Sequence, residues 1–291
     1  MSRSFSFATF SGPTLCGLLA ILLWGLLALL TATTGAVPPF LLTALTFAIG
    51  GGLGLLLLLA RGKLHLLRQP VAAWALGIGG LFGSHALYFG AMKNAPPAEA
   101  SLIGYLWPLL IVLMSGFLPG ERLSARHVLG ALMGFTGIVA LTLGKGGLGG
   151  SMSLPLFGYA LAFLFAIVWA GYSVLSRRMA AVPTEAVVGF CLATALVAGL
   201  AHLMFEPAGL PADTKAWIAI VLLGLGPAGA AFFLWDIGMK RGDIRFLGTA
   251  SYAAPIISTL ALIAAGRAEA SWSLALAAAL IAGGALIART K

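Results

Sequence analysis

Charged side chains are what this sequence has least of. They make up nine per cent of its 291 residues, against about a quarter in an average soluble chain. A domain of this length in water would need far more polar surface, so a soluble globular fold is excluded. Cysteine is nearly absent too. Cys16 and Cys191 both sit in apolar runs, which excludes a disulfide framework and reads them as small packing residues. No Cys/His cluster has metal-ligand spacing, and neither H-E-x-x-H nor G-x-S-x-G occurs. The Gly-rich stretch GKGGLGGSMS (144–153) lacks the GK[ST] of a phosphate loop. No metal, no cofactor and no enzymatic constellation is expected. Long polar segments are missing as well, which argues against a receptor or assembly subunit, and no obligate protein partner is evident.

Apolar residues are plentiful: 60% of the chain is hydrophobic and the mean hydropathy is +1.05. Stretches of about 20 apolar residues recur, each long enough to cross ~30 Å of hydrocarbon. Ten spans are predicted, at 13–31, 38–60, 70–92, 97–118, 126–143, 155–176, 185–204, 215–238, 244–265 and 271–288. The runs are continuous rather than alternating, which excludes a β-barrel. The fold class is an all-α polytopic membrane protein. GGLG (51–54) interrupts the pattern of the second span. Arg3, the first apolar run and TATTGA (31–36) also fit a cleaved signal peptide, but that run has a counterpart later in the chain, which favours a retained span.

With ten spans both termini share one side. On it fall Arg3, Arg61, Lys63, Arg68, Arg122, Arg126, Arg177, Arg178, Lys240, Arg241, Arg245, Arg289 and Lys291. The other side holds Lys93, Lys145, Lys215 and Arg267. Basic loops stay in the cytoplasm, so the termini are expected inside a bacterial-type inner (plasma) membrane. The net charge of +9 is then a topology signal with some attraction to anionic lipid headgroups, and calls for no nucleic acid.

The two halves of the chain echo one another. A shift of 145 residues pairs Trp24 with Trp169 and AVP (36–38) with AVP (181–183). A shift of 147 pairs Tyr88 with Trp235, Met92-Lys93 with Met239-Lys240, Tyr105 with Tyr252 and Pro108 with Pro255. Residues 1–146 and 147–291 therefore read as two five-helix repeats. Five is odd, so the second repeat enters the membrane inverted, a build used by many secondary transporters with substrate held at the midplane between repeats. Pro108 and Pro255 lie inside apolar spans, where each denies an N–H to the carbonyl four residues back, Gly104 and Ser251. Such breaks are tolerated where a cavity, water or neighbouring side chains satisfy the backbone.

Ten spans, two halves, the YLWP-type fourth span and the GER turn (120–122) resemble the drug/metabolite transporter superfamily, in its EamA-type branch. The stretch SHALYFGAMKNAPPAEASLIGYLWPLLIVLMSGFLPGERL (84–123) is most similar to the aromatic amino acid exporters of the YddG type. GRAEA (266–270) echoes GERL only loosely, which limits transfer of residue roles to the second half. The resemblance implies export from the cytoplasm by alternating access through a central cavity. Amino acids are the implied substrates, with drugs or other small metabolites as the alternative.

Substrate contacts are expected where aromatic or polar side chains fall at mid-depth, away from the interfaces that Trp and Tyr normally prefer. Trp24, Tyr105, Trp107, Trp169 and Tyr252 meet that condition. Helix–helix hydrogen bonding is the plainer use of each, lining a cavity the sharper one. Tyr105 and Trp107 differ by about 200° on an ideal helix, so only one of them is expected to face a shared cavity unless a kink at Pro108 relaxes the geometry. His85 and Tyr88 share a face of the third span. His85 is the one histidine well inside a span, and either bonds a neighbouring helix or binds a substrate carboxylate or proton. The other histidines read as interfacial. Pro108, Pro255 and Pro227 are the candidate helix breaks, Pro227 lying in GLGPAG (224–229); Gly79/Gly83 and Gly130/Gly134 read as packing seams. Asp236 and Lys240 are spaced for an i,i+4 pair. No carboxylate lies at a span centre, which favours neutral or zwitterionic substrates over cationic drugs, moved by a facilitator or exchanger.

Overall fold

The computed structural model describes residues 10–95, 97–144, 155–266 and 269–289. Arg3, Lys145, Arg267, Lys291 and the 146/147 boundary lie outside the described residues. All regular structure among the described residues is helical. Helix α1 comprises Gly12–Gly25 and Leu27–Thr33, α2 is Pro39–Ala60, and α3 joins Val71–Ile78 to Ser84–Asn94 through a π-helical turn, Gly79–Gly83. Helix α4 is Pro97–Gly104 followed by Trp107–Ser115, α5 is Ala125–Gly144, α6 is Leu156–Arg178 and α7 is Ala186–Phe205. Helix α8 joins Thr214–Leu225 to Ala231–Arg241 through a second π-helical turn, Gly226–Ala230. Helix α9 is Ile244–Ala250 followed by Ala253–Ala264, and α10 is Trp272–Arg289. Seven of these are long and apolar enough to cross a membrane; the apolar parts of α4, α5 and α10 are shorter, at Ala100–Ser115, Ala125–Leu141 and Trp272–Ala288.

Lipid as solvent explains which face turns inward. On α1 the leucines 15, 19, 22 and 26 point out, while Thr14, Gly17, Ala20, Ile21 and Gly25 are buried. Small residues face the bundle because helices gain from close backbone approach where no hydrophobic effect separates protein from lipid tails. Asp213 and Asp243 cap α8 and α9 by accepting from the amides of Ala216 and Phe246 at 2.8 and 3.0 Å. Pro39 occupies the first turn of α2, where its missing N–H costs nothing. Gly62 ends α2 in the left-handed region (φ 63°) that suits a helix-terminating glycine.

Several elements start 147 residues after a counterpart. The pairs are Pro39 and Ala186, Gly79 and Gly226, Ser84 and Ala231, Pro97 and Ile244, and Ala125 and Trp272. Packing follows the same correspondence: α1 lies on α8 as α6 lies on α3, α1 meets α9 as α6 meets α4, and α2 packs on α7 and α5 on α10.

Two expectations from the sequence need correction here. GGLG (51–54) does not interrupt the second span, which is one unbroken helix; Gly51 and Gly54 serve helix contact instead, against Leu192 and Val188 of α7. Gly79 and Gly83 do not form a close seam: a Cβ on Gly79 would meet nothing within 4 Å, and one on Gly83 only Val168 at 3.8 Å. The tight contacts of α3 are instead at Gly77, which receives the Phe190 ring, and at Gly80, which receives Tyr172. His202, in the last turn of α7, is buried, its Nδ1 3.0 Å from Glu206, whose carboxylate also accepts from the first amides of α2, Phe40 and Leu41.

Gly50 gives a direct packing test. A Cβ there would stand 2.7 Å from the Gly229 Cα and 2.8 Å from the Gly224 carbonyl oxygen, both backbone atoms that cannot rotate away. Gly50→Ala should therefore cost about 1–3 kcal/mol by overpacking and lower the thermal midpoint in detergent by several degrees. Gly52→Ala meets nothing within 4 Å and should hold or raise it, since Ala is the better helix former. Equal midpoints for the two variants would refute the seam.

Candidate functional site

The breaks in α1, α3, α4, α8 and α9 border one cavity of about 610 Å³. That volume falls in the range of about 300–1,000 Å³ typical of small-molecule sites. Its walls are drawn from the middle of the helices toward one end, including Thr31 and Ala32 of α1, Leu42, Thr43 and Thr46 of α2, and Ser101 of α4. The opposite end of the bundle carries Glu121, Arg177, Lys240 and Arg245, and is called the basic end below.

The floor, toward the basic end, is aromatic. Trp24 meets Trp169 edge-on at 5.6 Å and Trp235 at 5.0 Å, and Trp107 meets Trp169 at 6.3 Å and Trp235 at 6.1 Å. Phe232 completes the layer, 5.9 Å from both Trp24 and Trp169. The Trp24 indole donates to the Pro227 carbonyl at 3.0 Å, so the π-helical turn of α8 supplies an acceptor that a regular helix would hide. Among the described residues the indole N–H groups of Trp107 and Trp169 have no partner within the protein.

The walls above the floor are more polar. His85, Tyr88, Ser84, Ser101, Tyr105 and Ser258 line them, together with Gly104, whose carbonyl receives no N–H from Pro108. His85 Nδ1 lies 2.7 Å from the Leu81 carbonyl, which can only accept. Nδ1 therefore carries the proton, and in neutral His85 Nε2 is an acceptor. Its ring packs edge-on against Phe47 at 5.2 Å. No carboxylate lines the cavity among the described residues.

The structure thus brings Trp24, His85, Tyr88, Tyr105, Trp107, Trp169, Pro227 and Pro255 to one wall system. Tyr105 and Trp107 both line it, against the expectation for an ideal helix. The reason is the break at 105–106: the Leu106 amide bonds to Ile103 rather than to the residue four back, and a new helix starts at Trp107. Tyr252 and Pro108 are not on the wall. Tyr252 is fully buried between α5 and α10, its ring against the Cα of Gly134 and 6.5 Å from Phe135. The Gly134 notch accepts it on the side away from the cavity. Pro108 is buried beside Gly248.

Phe165, Phe232, Thr43 and Thr46 also line the cavity and were not singled out from the sequence. Thr43 and Thr46 carried a usable signal, two hydroxyls three residues apart in an apolar run. Phe165 and Phe232 carried none, because phenylalanine suits lipid, core and cavity equally.

Comparison with known proteins agrees with this architecture. The profile of the EamA-like transporter family matches residues 13–143 and again 156–290. The chain is 59% identical to the aromatic amino acid exporter YddG of Ancylobacter novellus, over 96% of this chain and 97% of that one. It is 28% identical to the aromatic amino acid exporter YddG of Salmonella typhimurium, over 84% and 86% of the two chains. A solved crystal structure superimposes with a TM-score of 0.92 at 58% identity, covering 97% of each chain.

Proposed function

The chain belongs to the EamA-like transporter family, and from that premise we propose that it is a secondary transporter exporting aromatic and other apolar amino acids through the central cavity. It is a multi-pass membrane protein; we read the bundle as ten spans in two inverted five-span repeats, 1–146 and 147–291, with both termini in the cytoplasm of a bacterial-type inner membrane. The paired element starts, the twofold family match and the exchange of packing partners between halves support this reading.

The cavity carries the substrate assignment. An aromatic side chain lodges against Trp24, Trp107, Trp169 and Phe232, where burying roughly 150–250 Å² at about 25 cal/mol per Å² supplies about 4–6 kcal/mol. The zwitterionic end meets the polar wall. His85 Nε2 and the Gly104 carbonyl accept from the ammonium group, while the hydroxyls of Tyr88 and Tyr105 donate to the carboxylate. His85 thus suits the amino group rather than the carboxylate, because its one neutral-state proton is committed to Leu81. The cavity lies away from the basic end, so this conformation is open toward the extracytoplasmic face and closed toward the cytoplasm. Pro227, Pro255 and Pro108, at or beside the helix breaks, are the points about which the halves rock.

Flux in proteoliposomes tests the assignment. L-phenylalanine and L-tryptophan should cross at rates well above those of aspartate, lysine or a permanently cationic dye, with no requirement for a pH gradient. Transport of the dye in preference to the amino acids would reverse the assignment, since a cation has no carboxylate to meet in this cavity.

A further inference from the structure

Below the tryptophan floor, toward the basic end, lies a second and much smaller void of about 10 Å³, room for about one water molecule. Leu76, Tyr172, Ser176, Phe190, Asp236 and Lys240 are among its lining residues. Part of this lining corresponds to the wall of the large cavity. Shifts of 147 residues take Leu76 to its cavity counterpart Leu223, and Phe190 and Asp236 back to Thr43 and Phe89. A shift of 145 takes Ser176 back to Thr31. In the inverted-repeat reading, the void is the collapsed counterpart, in the opposite half of the bundle, of the large cavity.

Its wall holds what the large cavity lacks, a pair of opposite charges. Lys240 Nζ donates to Asp236 Oδ2 at 2.8 Å and to the Val182 carbonyl at 2.8 Å, and Thr184 Oγ1 donates to the same carboxylate oxygen at 2.6 Å. Asp236 is 3% exposed and Lys240 9%. A buried ion pair is weak support for a fold, since apolar residues of similar volume often serve as well or better. The counterpart of Asp236 is Phe89, so the architecture does not itself demand a carboxylate there.

We propose that this void is a cytoplasmic loading site for the zwitterionic head of the substrate, with Lys240 taking the α-carboxylate and Asp236 the α-ammonium group when the basic end opens. The proposal rests on the transporter reading above, in which the halves exchange conformations. While the void is shut the two side chains neutralise each other; when it opens they exchange each other for the substrate's charges. An α-amino acid carries both of its charges on one carbon, so its head fits between a cation and an anion one helical turn apart. An amine or a carboxylic acid alone would leave one protein charge unpaired, which sets the selectivity.

The test compares the two faces of the transporter in oriented proteoliposomes. The double variant D236N/K240Q leaves no buried ion unpaired. It should raise KM for L-tryptophan about tenfold or more from the basic face, the loss of at least one charge-assisted hydrogen bond. From the opposite face KM should stay within about twofold. The wild-type preference for L-tryptophan over L-tryptophanamide, which lacks the carboxylate, should disappear on the basic face alone. An unchanged KM, or an equal rise on both faces, would show that the pair only braces α8 and would overturn the site. If the double variant does not fold, S176C in a C16A/C191A background replaces it. A membrane-impermeant maleimide should label it from the basic face, and L-tryptophan but not its amide should slow labelling. Labelling indifferent to L-tryptophan, or none during active transport, overturns the proposal. A wild-type protein that moves no amino acid would instead remove the transporter reading itself.

Discussion

Trp169→Ala will raise the KM for L-tryptophan about 30-fold, with Trp169→Phe within roughly threefold of wild type. Trp169 is the joint of the aromatic floor. Its ring touches Trp24 at 5.6 Å, Phe232 at 5.9 Å, Trp107 at 6.3 Å and Tyr172 at 5.4 Å. Truncation removes one wall of the aromatic slot and lets its neighbours collapse into the gap. A loss of about 2 kcal/mol of binding corresponds to about 30-fold, and aromatic pairing alone accounts for about 0.5–1.5 kcal/mol of it. Truncating a buried Trp also costs stability, of order 3–5 kcal/mol, so the constant must be measured on protein that remains monodisperse. Trp107→Ala and Tyr88→Ala give independent readings of the same wall. Trp217→Ala is the control, because Trp217 is 42% exposed on the outer face of α8 and far in sequence from every cavity residue but its own helix's. Undiminished flux in the Trp169, Trp107 and Tyr88 variants together would sink the cavity assignment.

Much of this architecture is legible in the sequence because the bilayer imposes a simple rule. Every backbone group must be satisfied inside its own segment, so each crossing has to be a long apolar helix, and runs such as 156–178 announce themselves. The internal echo was legible for a similar reason: Tyr105 with Tyr252 and Pro108 with Pro255 are rare residue types recurring at one spacing in an otherwise apolar text. Orientation about each helix axis was far harder to read. In water, polarity marks the outer face; in lipid, both faces are apolar. Leu19 and Ile21 of α1 differ in burial, 50% exposed against 2%, without differing in polarity. The same blindness misplaced Tyr252. Tyr105, its counterpart 147 residues earlier, lines the cavity, yet Tyr252 packs into the notch at Gly134. The two π-helical turns escaped for another reason, since one extra residue in a turn leaves no compositional mark beyond glycine. That extra residue turns the helix by about 100°, which repositions everything after Gly83 and Ala230, His85 and Phe232 included.

Glu121→Gln should open the basic end. Glu121 sits just after α4 and accepts from Arg177 Nη2 of α6 at 2.7 Å, with Arg245 Nη2 of α9 at 3.4 Å on its other oxygen. Arg177 Nη1 donates in addition to the carbonyls of Met239 and Gly242, at 3.0 and 2.8 Å, and Arg245 Nη1 to that of Arg122. The carboxylate thus ties one half of the chain to two elements of the other, at the end away from the large cavity. Both arms are partly exposed, with side chains 13–25% accessible, so each is worth no more than about 1 kcal/mol. Losing both, and leaving two guanidinium groups facing each other, should shift the balance between closed and open basic ends by roughly 5–30-fold. Spin labels at Phe117 and Arg241, exposed positions near that end, should then report a longer distance that is minor in wild type. Arg177→Gln removes one arm of the carboxylate and both carbonyl contacts at once, so its shift should exceed that of Glu121→Gln. The opposite order would place the restraint on Arg245 rather than on the α6–α8 contact. An unchanged distance distribution in both variants would mean that the aromatic floor, not the charges, keeps the basic end closed.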